Sequence, residues 1–231
     1  MAAVYLIRHG QASFGESDYD RLSANGGEQS GILGLALSKR IERVDGLYAG
    51  TMKRHRQTAE ACLEGMGLEG RTLTELAGFN EFDHEEIIVQ YKPEYADIER
   101  RMADMERTGH PRRAFQDLFG KAVDHWIASG EDGGYSESWG DFRARSVAAL
   151  DEVIAEQGRS RTSLVFTSGG PIAAIVQELL GIPDENAFRI NHTLTNCGIS
   201  KIIYSERARY LSTVNEHAHF EGEHADLITY R

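Results

Sequence analysis

Val4 to Gly10 is the stretch that most limits what this chain can fold into. Val4, Leu6 and Ile7 form a short, apolar, partly β-branched run, the pattern of a strand buried on both faces. The run passes directly into Arg8, His9 and Gly10. Strands of this kind belong to open α/β sheets, whose ligands bind in the crevice beyond the strands' carboxyl ends. Gly10 permits a sharp turn and close approach of a ligand to the backbone. The stretch therefore predicts a guanidinium and an imidazole side by side at the mouth of a crevice. A guanidinium grips phosphate through two parallel hydrogen bonds and keeps its charge. An imidazole attacks phosphorus only while unprotonated, and a neighbouring cation helps to keep it so. The bland alternative is a strand end with two incidental polar residues.

A second run, Thr162 to Thr167, has the same character and ends in Ser168, Gly169, Gly170 and Pro171 before an apolar helix, Ile172 to Leu180. Backbone amides at that helix start could also face an anion. Between the two strands, Asp45 to Ala49 and Arg71 to Leu76 are strand candidates. Helical spacing runs from Ile32 to Ile41 and again from Arg54 to about Gly65. Thr51 is placed to cap the second of these helices. Its first turn is rich in cations, which the helix dipole disfavours; an anion bound there would remove the conflict, and a solvated face is the alternative for Lys53 and Arg56. Gln11 to Asp20 is polar and reads as an active-site loop, with Gln11 a further candidate phosphate contact.

Residues 77–86 hold Glu81, Asp83, His84, Glu85 and Glu86, the richest local source of an acid/base group. From Glu94 to Gly130 the pattern is helical and charged, with Pro93 and Pro111 as breakers. This reads as part of a helical insertion over the crevice, residues 85–134, that shapes substrate choice within a single 1–231 domain. Ser136 to Gln157 is a further helix, with Phe142, Val147, Leu150 and Ile154 near one face. Asn196 to Tyr204 and Arg209 to Val214 form a late hairpin turning at Ser205 to Ala208.

The net charge of −11 argues against nucleic acid or an anionic membrane as partner, while a locally positive pocket can still take a small anion. No run approaches the roughly 18 apolar residues of a membrane span, and no signal peptide is visible, so a cytoplasmic protein is expected. Cys62 and Cys197 are too few for a disulfide framework or a thiolate metal site and read as buried free thiols. His217, His219 and His224 superficially suggest zinc, but their spacing lacks a supporting partner, and no metal or other cofactor is expected. A serine hydrolase is disfavoured because Ser168 is not in a Gly-x-Ser-x-Gly setting.

Taken together these segments resemble the histidine phosphatase superfamily, the phosphoglycerate mutase-like proteins. The resemblance rests first on Arg8-His9-Gly10 after an amino-terminal strand, then on Lys53 to Ala59, which is similar to the family's arginine-bearing helix. Leu22, Gly26 and Gln29, the Phe79-Asn80-Glu81 segment, and Asn215 to His219 add weaker matches. It implies a three-layer α/β/α sandwich with a mostly parallel sheet. It also implies His9 as nucleophile, Arg8 and Arg54 as phosphoryl ligands and Glu81 as acid, with Glu85 and His84 as runners-up. The implied activity is a phosphomonoester phosphatase on a small phosphorylated substrate. The alternatives are a mutase-type phosphotransferase or a phospholigand-binding protein of low activity. One departure stands out. The family carries a second histidine where this chain has Ser168, which keeps a hydrogen bond but no charge. His217 is the first candidate to replace it and His192 the second, and Arg56 could add positive charge. Nothing in the sequence specifies substrate identity or oligomeric state.

Overall fold

The computed structural model describes residues 2–13 and 20–230. Six strands form one sheet: β1 (Ala2–Arg8), β2 (Gly46–Ala49), β3 (Thr74–Glu75), β4 (Thr162–Thr167), β5 (Ile199–Tyr204) and β6 (Arg209–Glu216). Their order is β3-β2-β4-β1-β5-β6. The β3-β2-β4-β1 half is parallel, and β5 and β6 add an antiparallel edge. Among the described residues eight α-helices surround it: α1 (Ala24–Ser38), α2 (Lys53–Met66), α3 (His84–Tyr91), α4 (Ile98–Arg107), α5 (Pro111–Ser129), α6 (Trp139–Gln157), α7 (Gly169–Leu180) and α8 (Asp184–Thr193).

Strand alternation sorts the core into two layers. Val4, Leu6, Tyr48 and Val165 face one way, against Leu150 and Val153 of α6 and Ile172, Ile175 and Val176 of α7. Ile7, Leu47, Leu164 and Phe166 face the other way, against Leu33 and Leu37 of α1 and Cys62 and Leu63 of α2. Both faces are covered, which is why these strands read as continuous apolar runs. A third cluster joins Ile87 and Ile88 of α3, Trp126 of α5, Trp139 and Phe142 of α6, and Phe188 of α8. Helix α7 contributes Ala174 to that cluster and Ile175 to the first, so it is apolar nearly all round.

The sheet is the mostly parallel α/β arrangement expected, with differences at its margins. The third strand shrinks to two residues because its partner β2 has only four and offers Tyr48 and Ala49 for pairing. Helix α8 has no counterpart in the sequence reading, being polar and burying little beyond Ala187 and Phe188. The cap of α2 is Met52 rather than Thr51, whose amide instead donates to Asn80 Oδ1 at 2.7 Å. Most of the predicted Gln11–Asp20 loop, residues 14–19, lies outside the described residues. No described helix is long and apolar enough to cross a membrane. Cys62 and Cys197 are buried free thiols, their ionisation pushed up by burial, for Cys197 to about 12.

Candidate active site

The parallel strands β1, β2 and β4 end at one edge of the sheet, and the residues just past them, His9, Gly50 and Ser168, share that edge. The turn at Gly10 is held tightly. His9 N donates to Thr167 O at 2.8 Å, Asn196 Nδ2 to His9 O at 3.0 Å, and Gly10 N to Thr58 Oγ1 at 3.0 Å. Gly10 is needed because a Cβ there would stand 2.4 Å from Gly26 O on α1. The arginine-bearing helix thus anchors the strand end through Thr58, and its Gln57 does the same for Leu22 N at 2.8 Å.

His9 is 7% exposed, and its Nδ1 lies 2.7 Å from Gly10 O. A carbonyl only accepts, so Nδ1 carries the proton and Nε2 of the neutral ring keeps its lone pair. Burial, then the Arg54 guanidinium, then that of Arg8, hold the ring's pKa well below the ordinary histidine value. The imidazole is therefore neutral at pH 7, with a defined nucleophilic nitrogen.

Arg8 closes β1, its Nη1 donating to Leu194 O and, at 2.9 Å, to Tyr230 O. Arg54 is 5% exposed and pairs through Nη1 with Asp20 Oδ1 at 2.7 Å. The other Asp20 oxygen accepts from Lys53 N at 2.8 Å. The cation-rich start of this helix thus carries the protein's own Asp20 carboxylate. Asp20 has no signal of its own in the sequence, but the cation-rich first turn asked for such a group.

Glu81 follows a 3-10 turn, Ala77–Phe79, that Arg145 of α6 holds through Gly78 O at 3.0 Å and Asn80 O at 2.8 Å. Glu81 Oε2 accepts from Gly170 N in the first turn of α7 at 3.2 Å. Gly170 leaves room for it: a Cβ there would stand 2.0 Å from Glu81 Oε1. Glu85 is engaged elsewhere, bidentate to Arg101 at 2.8 and 3.0 Å, and His84 Nε2 lies 3.5 Å from Glu85. Of the three acid candidates, Glu81 alone is shown meeting the glycine turn that follows β4.

Ser168 is fully buried at the end of β4, and the histidine against it is His55, with Nε2 2.7 Å from Ser168 Oγ. Neither earlier candidate takes that place. His192 is exposed on α8 with its ring edge-on to Phe188, and His217 donates from Nδ1 to Asn215 O at 2.7 Å. Gln11 is occupied as well, its Oε1 accepting from Ser23 Oγ at 3.0 Å, and Arg56 pairs at the surface with Glu75. A signal for His55 existed: it shares a stripe with Thr58, Ala59 and Cys62, the buried face of α2. Among the described residues no group of three or more His, Cys, Asp or Glu is placed to hold a metal ion.

The arrangement presents a bare imidazole nitrogen, two guanidinium groups and a carboxyl at one sheet edge, a set that suits transfer of a phosphoryl group. Solved structures share the fold. One is a phosphoserine phosphatase mutant from Entamoeba histolytica in complex with phosphoserine, 18% identical, covering 95% of this chain and 99% of that one with a TM-score of 0.66. A phosphoglycerate mutase from Bacillus anthracis is also 18% identical, covering 94% of each chain with a TM-score of 0.64. A mycobacterial glucosyl-3-phosphoglycerate phosphatase, again 18% identical, covers 93% of this chain and 99% of that one with a TM-score of 0.64. No curated protein sequence matches the chain. The model of the histidine phosphatase superfamily (branch 1) matches residues 4–217, from the first strand to the segment after the last, and the chain belongs to that superfamily.

Proposed function

We propose that the protein is a phosphomonoester phosphatase that works through a phosphohistidine on His9. The observation that carries this reading is the His9 Nδ1 contact with Gly10 O, which leaves Nε2 free to attack while Arg8 and Arg54 act on the same ring. In the first half-reaction Nε2 bonds to phosphorus and the ester P–O bond breaks. Glu81 gives its proton to the departing oxygen, releasing the alcohol. In the second, water bonds to phosphorus, Glu81 takes the water's proton, and the P–N bond breaks with its electron pair returning to Nε2. Inorganic phosphate leaves and both groups are restored. Arg8 and Arg54 hold the phosphoryl oxygens throughout, Arg54 exchanging the Asp20 carboxylate for the substrate.

The substrate class proposed is a small phosphate monoester. It draws support from the small phosphorylated compounds in the names and complexes of the proteins that share this fold. The helical insertion, residues 85–134, is assigned the role of roof and specificity element. Phe82, next to Glu81, stacks among Phe119, Trp126, Phe142 and Phe188, so the third cluster sits directly on the acid's own segment.

Rapid quench of the protein with an aryl phosphate tests the reading. Wild type is expected to release phosphate and to show acid-labile phosphate on His9, and His9→Ala to do neither. Equal turnover by both proteins rules it out. A binding-only protein, suggested by Ser168, would take up phosphate esters in a calorimeter with no phosphate release.

A further inference from the structure

Ser168 and His55 meet at the floor of the site, and neither is exposed. Ser168 is the first residue beyond β4 and lies beside His9 by continuation of the Arg8–Thr167 register. It is the N-cap of α7, yet its hydroxyl caps no helix amide. That hydroxyl is instead 2.7 Å from His55 Nε2. The opposite nitrogen, Nδ1, backs onto Gly50, where a Cβ would come within 2.3 Å of it. The His9 and His55 rings stand 5.8 Å apart. On either side of Ser168 are the other site groups. Arg8 Nε lies 3.6 Å from a Cβ built on Gly169, and Glu81 fills the space beside Gly170.

A serine hydroxyl has one proton, and a neutral imidazole has one donor and one acceptor nitrogen. If the hydroxyl proton points at Nε2, only lone pairs face an incoming phosphoryl dianion. If Nε2 carries the proton and donates to Oγ, the hydroxyl proton is free to meet an anionic oxygen. In the free protein the Gly50 backbone, which Nδ1 faces, favours a proton on Nδ1 and hence the first arrangement; a bound dianion favours the second. We propose that His55 is a positioning residue for phosphoryl transfer: its Nε2–H, donated to Ser168 Oγ, turns the serine proton onto a phosphoryl oxygen held beside His9. The pair then supplies, through two side chains, the donor that a single imidazole at position 168 would supply. This rests on the phosphatase reading above.

Steady-state turnover of an aryl phosphate by S168A, H55A, H55Q and S168A/H55A tests it, with thermal melting to verify that each variant is folded. S168A is expected to lower kcat about 100-fold, the effect of losing one preorganised donor, with KM changed about threefold at most. H55A should fall in the same direction, and the double variant should lose no more than S168A, because the two act through one hydrogen bond. H55Q, whose amide can offer a donor to Oγ, should recover most of the H55A loss. In 15N NMR of wild type loaded with phosphate, the His55 resonance, identified by its absence in H55Q, should report a protonated Nε2. Losses that multiply in the double variant, folded H55Q no better than H55A, or a bare Nε2 overturn the role of His55. Where H55A does not fold, H55Q and the wild-type spectrum decide. Absence of phosphate on His9 in wild type overturns the phosphatase reading itself, whereas labelled His9 with multiplying losses overturns only the pairing.

Discussion

Arg54 acts on His9 in two ways that one variant separates. It is assigned to grip the phosphoryl group, and after burial it is the largest influence holding the His9 ring deprotonated. Arg54→Ala is therefore expected to lower kcat/KM by about 100-fold through the lost donor. It should also shift the acid limb of the kcat/KM profile to higher pH, toward the ordinary histidine range, since removing a cation lets the ring hold its proton more easily. Burial remains, so the return is partial. The substrate's own titration is common to both proteins, so profiles measured on one aryl phosphate compare directly. An unmoved acid limb would separate Arg54 from the state of His9. The same locality explains why Asp20 matters: one carboxylate satisfies both Arg54 and the first amide of α2.

At the scale of elements, α1 and α2 pack on one face of the sheet at glycines. A Cβ on Gly34 would stand 2.2 Å from Cys62 O, and one on Gly65 would stand 2.6 Å from Gly31 O. These are backbone atoms of helices and cannot swing aside as a flexible side chain does. Close approach matters to the site because α2 carries Arg54 and His55 against the ends of β1 and β4. Gly34→Ala should force the helices apart and destabilise the protein by about 1–3 kcal/mol, the usual cost of overpacking. Urea unfolding followed by circular dichroism measures it; an unchanged midpoint would show that the interface yields without strain.

For the whole molecule, three buried or half-buried histidines link stability to pH. Burial is the first cause in each case, lowering His9 and His55 well below the ordinary value of 6.5 and His219 to about 4. Below pH 6.5 the unfolded chain takes up protons that these folded rings refuse, so the unfolded state gains and stability falls. The loss runs from about 6.5 down through pH 4, at up to about 1.4 kcal/mol per pH unit for each histidine involved. Above 6.5 these groups contribute no further slope. Urea midpoints at pH 7.5 and pH 5 should therefore differ, with the lower at pH 5; equal midpoints would show that the three rings titrate freely in the fold.

Local pattern determined a good deal by itself. The buried strands at Val4–Ile7 and Thr162–Thr167, the turn at Gly10 and the apolar helix after Pro171 follow from alternation, β-branching and glycine, which act over a few residues. So does the adjacency of Arg8 and His9, which is covalent. Only the tertiary structure decided which groups face each other across the crevice. Glu81 rather than Glu85 reaches Gly170 because Arg145 pins the turn before it and Arg101 draws Glu85 away. His55 rather than His217 or His192 meets Ser168 because the phase of α2 turns that ring toward the end of β4. Asp20 sits at the start of α2, against Arg54 and the Lys53 amide, through a contact between segments 33 residues apart. Such pairings depend on the rotation of a helix about its axis and on strand register. A shift of one residue in either changes every partner, and no spacing along the chain encodes the outcome.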